Sequence, residues 1–79
     1  MHYILDAGEL NDSRNSHIYL KEIFGFPEYY GCNLDALYDC ITELPDVHIH
    51  IIHTERGNEY FRKILRVFEE SENAAVYLN

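Results

Sequence analysis

The spacing of apolar and polar positions divides this chain into six expected elements. His2 to Leu5 is a short apolar run with two β-favouring residues, closed by Asp6-Ala7-Gly8, and reads as a strand. Asn11-Asp12-Ser13 then supplies capping chemistry for a helix from about Arg14 to Phe24. Ile18, Tyr19, Ile23 and Phe24 are expected to share its buried face, with Leu20 beside them. Gly25 stops this helix and Pro27 prevents its return.

A second helix is expected after Asn33, a favourable N-cap, running to about Glu43. Leu34, Leu37, Ile41 and Leu44 recur at the three-and-four spacing of a buried stripe, with Tyr38 at its edge. The same periodicity turns Asp35, Asp39, Thr42 and Glu43 outward. Pro45 and Asp46 end the segment. Val47 to His53 is rich in β-branched residues and reads as a strand, with Thr54 to Asn58 as the loop that follows. A third helix is predicted over Glu59 to Glu72, with Phe61, Ile64, Leu65 and Phe68 on its apolar side, and Ala75 to Leu78 closes as a short strand. Strands separated by helices predict an α/β fold: a small parallel sheet with right-handed crossovers. With no repeat or linker, residues 1–79 are expected to form one domain.

Charge adds direction to this pattern. From Glu22 to Glu55 the chain carries seven acidic side chains and no Lys or Arg. Asp35 and Asp39, four residues apart, repel by roughly 0.2–0.5 kcal/mol on an exposed helix. The net charge of −8, from 14 acids against six bases, argues against nucleic-acid binding, which needs a basic footprint. It suits a partner with a strongly positive surface. No apolar run is long enough to span a membrane, and the start of the chain lacks a basic region followed by an apolar one, so a cytoplasmic protein is expected.

The remaining chemistry-bearing residues point to no catalyst. Cys32 and Cys40 form neither a zinc motif nor a disulfide framework and are expected to be reduced and structural. His48 and His50 alternate on one strand face and are half of a zinc site at most, with no further ligands at a recognisable spacing. Asp35 and Asp39 are too exposed for acid–base work, and no nucleophile stands beside a base in a known motif. No cofactor and no metal are expected. In the third helix, Arg62, Lys63 and Arg66 make up half of the basic residues and precede Glu69, Glu70 and Glu72; a solvated face is the default reading.

Pro27-Glu28-Tyr29-Tyr30-Gly31-Cys32-Asn33-Leu34-Asp35-Ala36-Leu37-Tyr38-Asp39-Cys40 closely resembles the signature of the barstar family, intracellular inhibitors of barnase-type ribonucleases, with Cys32 and Tyr38 at its variable positions. Leu65 to Glu70 before a closing strand extends the likeness more weakly, as do the opening strand and the first helix. The resemblance implies a three-stranded parallel sheet flanked by about three helices. It implies that the second helix and the turn before it plug a ribonuclease active site, with carboxylates standing where RNA phosphates would bind. On that resemblance Asp39 is the central phosphate mimic and Asp35 its neighbour, while Tyr29 packs on the enzyme's catalytic histidine. Gly31, Asn33, Tyr38 and Thr42 surround them, and Glu70 matches the family's acidic residue on the last helix.

Some positions differ from the family. Glu43 replaces a small residue, Leu44 an aromatic and Tyr38 a tryptophan, and the stretch between the second strand and the last helix is short. Glu43 extends the acidic face and is added to the expected contact residues. The expected partner is a basic ribonuclease, extracellular-type or a toxin, bound by a protein that is monomeric when free. The alternative is a module of the same fold that recognises a different basic protein.

Overall fold

In the computed structural model, which describes residues 1–79, three strands and three helices follow in the expected order. They are β1 (His2–Asp6), α1 (Asn15–Phe24), α2 (Leu34–Thr42), β2 (Val47–Ile52), α3 (Glu59–Glu70) and β3 (Ala74–Leu78). The strands form one parallel sheet in the order β1-β2-β3, with Tyr3 opposite Ile49 and Ile49 opposite Val76. Parallel neighbours require crossovers; α1 and α2 supply the first and α3 the second.

Period-two alternation sends one side of each strand inward. Leu5, Val47, Ile49 and Ile51 are fully buried, whereas Ile4 is exposed and His48 and His50 are half-buried. The sheet is therefore covered on one face only, although parallel sheets are ordinarily covered on both. On its open side His2 stacks on His48 and His50 with ring centroids 4.5 and 5.3 Å apart, and Tyr77 stacks on His50 at 4.7 Å. Hydrogen bonds complete the cluster: His2 Nδ1 to His50 Nε2 at 3.1 Å, and His48 Nδ1 to the Tyr77 hydroxyl at 3.0 Å.

The α2 stripe packs as its spacing predicts, with Leu37 and Ile41 fully buried and Leu34 and Leu44 partly so. In α3, Phe61, Ile64 and Phe68 are buried. The expected face of α1 is corrected. Ser16, His17, Leu20 and Phe24 point inward, while Ile18 and Ile23 are exposed. Leu20 and Phe24 set the phase, and His17 fits it because both ring nitrogens find partners: Nδ1 lies 2.6 Å from the Tyr30 hydroxyl and Nε2 2.7 Å from that of Tyr60. A polar side chain so satisfied can occupy a core position that hydrophobicity alone would give to isoleucine.

Element ends move by one or two residues, each for a local reason. Asp12 accepts from the amides of Arg14 and Asn15, so α1 opens at Asn15. His53 adopts a left-handed conformation (φ 56°) that closes β2 at Ile52. Ser71 is extended and ends α3 at Glu70. Short 3-10 turns at Ala7–Glu9 and Thr54–Arg56 occupy stretches that read as a strand end and a loop.

Candidate partner-binding face

The turn between α1 and α2 is built to present one of its two adjacent tyrosines. Gly25 (φ 70°) ends α1 in the left-handed conformation that glycine adopts without strain, and the amides of Gly25 and Phe26 both donate to the Lys21 carbonyl. Phe26 then stacks on Phe24, and Tyr30 packs on Phe26 with centroids 4.8 Å apart. Tyr30 is buried and its hydroxyl reaches His17, whereas Tyr29 is 83% exposed. The buried neighbour anchors the turn, and the exposed one is free for a partner.

Two asparagines then fix α2. Asn33 Oδ1 accepts from the Ala36 amide at 2.7 Å, and its Nδ2 donates to the Gly31 carbonyl. At the other end Asn73 Nδ2 donates to the carbonyls of Ile41 (2.8 Å) and Leu44 (2.9 Å). The Ile41 carbonyl also accepts from the Leu44 amide at 3.1 Å, so Asn73 reinforces the final turn and ties it to the start of β3. No basic side chain lies in the last turn of α2, so Asn73 supplies the donor chemistry there.

Two hollows flank α2. One, of about 370 Å³, has Leu34 and Val67 beside Asp35, Tyr38, Asp39 and Glu70. The other, of about 350 Å³, brings Tyr29, Gly31, Asp39 and Glu43 together over Tyr30, Ala36 and Cys40. Asp39 lines both and so stands on the ridge between them. Seven of the nine expected contact residues thus gather around one helix and the facing side of α3. Asn33 and Thr42 line neither hollow: Asn33 caps the helix, and the Thr42 hydroxyl donates to the carbonyls of Tyr38 and Asp39.

Electrostatically the face is unneutralised. Lys21 pairs with Glu28, and the rings of His48 and His53 lie beside Asp46 and Asp6; none of these contacts involves Asp35, Asp39, Glu43 or Glu70. Burial, then the nearby Glu43 and Asp39, push the Cys40 thiol up, which keeps it protonated and unreactive. Both cysteines are free. No group of three or more His, Cys, Asp or Glu side chains is placed to hold a metal ion. No helix is long and apolar enough to cross a membrane.

Sequence reasoning missed the supports behind this face. His17 and Tyr60 hold Tyr30 from inside, and Asn73 holds α2 from another element. The signal for His17 was its position, three residues before Leu20 and seven before Phe24, on the face those two residues define.

A parallel three-stranded sheet carrying helices on one face, one of them acidic and held at both ends, defines a small α/β protein. Its relatives make the class specific. A family model described as Barstar (barnase inhibitor) matches residues 1–77. A protein of Bacillus subtilis (strain 168) named "Putative ribonuclease inhibitor YrdF" is 33% identical over 75 residues, covering 87% of this chain and 82% of its own. The chain belongs to the barstar family, and it is an inhibitor-family protein rather than an enzyme.

Proposed function

We propose that this protein acts in the cytoplasm by inhibiting a ribonuclease, seating α2 and the preceding turn in the enzyme's cationic active site. Asp39 supplies the central carboxylate in the position of an RNA phosphate. Asp35 and Glu70 approach from the α3 side, and Tyr29 and Glu43 from the other. The observation that carries this reading is the position of Asp39 on the ridge between two hollows, free of any internal ion pair. Carboxylates held unpaired on a rigid helix gain charge-assisted bonds to Arg or Lys on docking without first breaking a bond of their own.

Of the two residues that differ from the family at the end of α2, only Glu43 bears on the target. Leu44 is half-buried and packs against the core, whereas Glu43 is exposed and lines the hollow with Tyr29. An enzyme with an additional basic group on that side of its active site fits best.

The test is inhibition of a panel of barnase-type ribonucleases by the purified protein. Inhibition is expected for at least one, with association slowed by added salt. The type pair of this family is itself the standard example of such steering, so slowing by salt carries no independent weight. The deciding comparison is between acidic residues. Asp39→Ala should weaken inhibition far more than Glu9→Ala, which is exposed on a turn outside this face. Equal losses would overturn the proposal.

A further inference from the structure

The acid-lined hollow does not end at Glu70. A further hollow of about 380 Å³ adjoins it, sharing Leu34, Val67 and Glu70 and adding Lys63 and Arg66. Lys63 and Arg66 lie three residues apart on α3, so they are neighbours on one helix face. Both are exposed, and neither takes part in an ion pair. That is notable in a chain with 14 acids and six bases. Glu59 lies four residues before Lys63, and Glu70 four after Arg66, yet neither pairing closes. Two unpaired cations beside the acidic patch would slow encounter with a uniformly basic enzyme, because like charges repel.

We infer that Lys63 and Arg66 extend the partner-binding face along α3 and receive a carboxylate from the rim of the target enzyme. This rests on the ribonuclease-inhibitor reading and adds the chemistry of the partner: a cationic centre bordered by an Asp or Glu. The planar guanidinium of Arg66 can meet a carboxylate in a two-bond fork, and Lys63 adds a mobile point charge. Leu34 and Val67 between them give the partner an apolar footing. The alternation from acid to base along α3 sets register and penalises enzymes whose rim is basic throughout.

Charge reversal separates this from a merely solvated helix face, because the two predict opposite signs. Lys63→Glu, Arg66→Glu and the double variant make an already acidic inhibitor more acidic. If these bases only face water, association with a basic ribonuclease should quicken and affinity should hold or rise. If they meet a carboxylate, affinity should fall at least about tenfold in the double variant, mainly through faster dissociation. Arg62→Glu, on the same helix but outside the hollow, should not reproduce the loss. Neutral Lys63→Met and Arg66→Gln variants should lose less than the reversals, and thermal melts confirm folding for each. Reversing the facing acid of the enzyme to Arg should restore binding to the double variant. Unchanged or tighter binding of the double variant overturns this inference alone. A wild-type chain that inhibits no ribonuclease overturns the parent reading with it.

Discussion

The imidazole of His17 and the phenol of Tyr30 meet at 2.6 Å inside the protein, joining α1 to the turn that carries Tyr29. A neutral imidazole has one N–H and one lone pair, so it donates to one tyrosine hydroxyl and accepts from the other. Protonation makes both nitrogens donors, so the hydroxyl that had been donating must turn its proton away from the ring and accept instead, with no partner shown for that proton inside the protein.

The pH dependence follows from burial, which lowers the pKa of His17 below its ordinary value of 6.5. Below about 6.5 the unfolded chain binds the proton more readily than the folded one. Stability should therefore be full above that pH and decline as pH falls toward the lowered folded value. His2 is lowered too, by burial first and then by His48 and His50, and acts in the same direction. In stronger acid Asp6 continues the decline, since the Gly8 amide and then His53 hold its carboxyl low and that stabilisation is lost on protonation. Urea unfolding between about pH 5 and 8 checks the first window. His17→Gln should flatten the slope there; an unaltered slope would mean that His17 does not contribute to it.

Asn73→Ala removes both donors to the end of α2 at once. Stability should fall by about 1–2 kcal/mol, near the range for bonds to half-buried backbone carbonyls. The freed end lies beside Glu43, so binding should weaken even though Asn73 lines neither flanking hollow. Denaturant titration and an inhibition assay on the same variant read the two effects separately.

Ser16 should be replaceable at a gain. Its side chain is fully buried and its hydroxyl has no hydrogen-bond partner. Ser16→Ala removes the unsatisfied group and improves helix propensity, so it should stabilise by about 1 kcal/mol. For a chain of this length that is a rise of about 4–8 °C in Tm, measurable by a thermal melt.

Cys32 occupies left-handed backbone (φ 53°) with its side chain exposed, a conformation that asparagine tolerates better than most residues. Cys32→Asn should raise stability by about 0.5–1 kcal/mol through relief of that strain. A lower unfolding midpoint would show that the thiol makes a contact worth more than the strain.

How much of this was legible from the chain depends on how local each cause is. α2 could be read closely because its cap, its stripe and its outward acids all lie within Asn33 to Leu44. The run from Val47 to His53 likewise predicts a strand with one wetter side, and β2 follows it to Ile52. Hydrophobicity alone predicts the wrong face for α1, because His17 takes its buried place from Tyr30 and Tyr60, which lie 13 and 43 residues away. The clamp from Asn73 was likewise invisible, since it acts across about 30 residues of sequence. Glu70 enters the expected contact set only through the family resemblance, and its place beside Asp35 and Asp39 is visible only in the structure, because no periodicity in α2 or α3 says which sides of the two helices face each other.

A helix held at its first turn by Asn33 and at its last by Asn73 is already in its binding shape before any partner arrives. Association should then resemble the docking of two rigid bodies, with little of the ordering entropy that a folding-on-contact segment must lose. Calorimetry would register this as a heat-capacity change no larger than the buried apolar surface accounts for. With Asn73 replaced, the magnitude of that change should grow, as the end of the helix completes its folding on the enzyme.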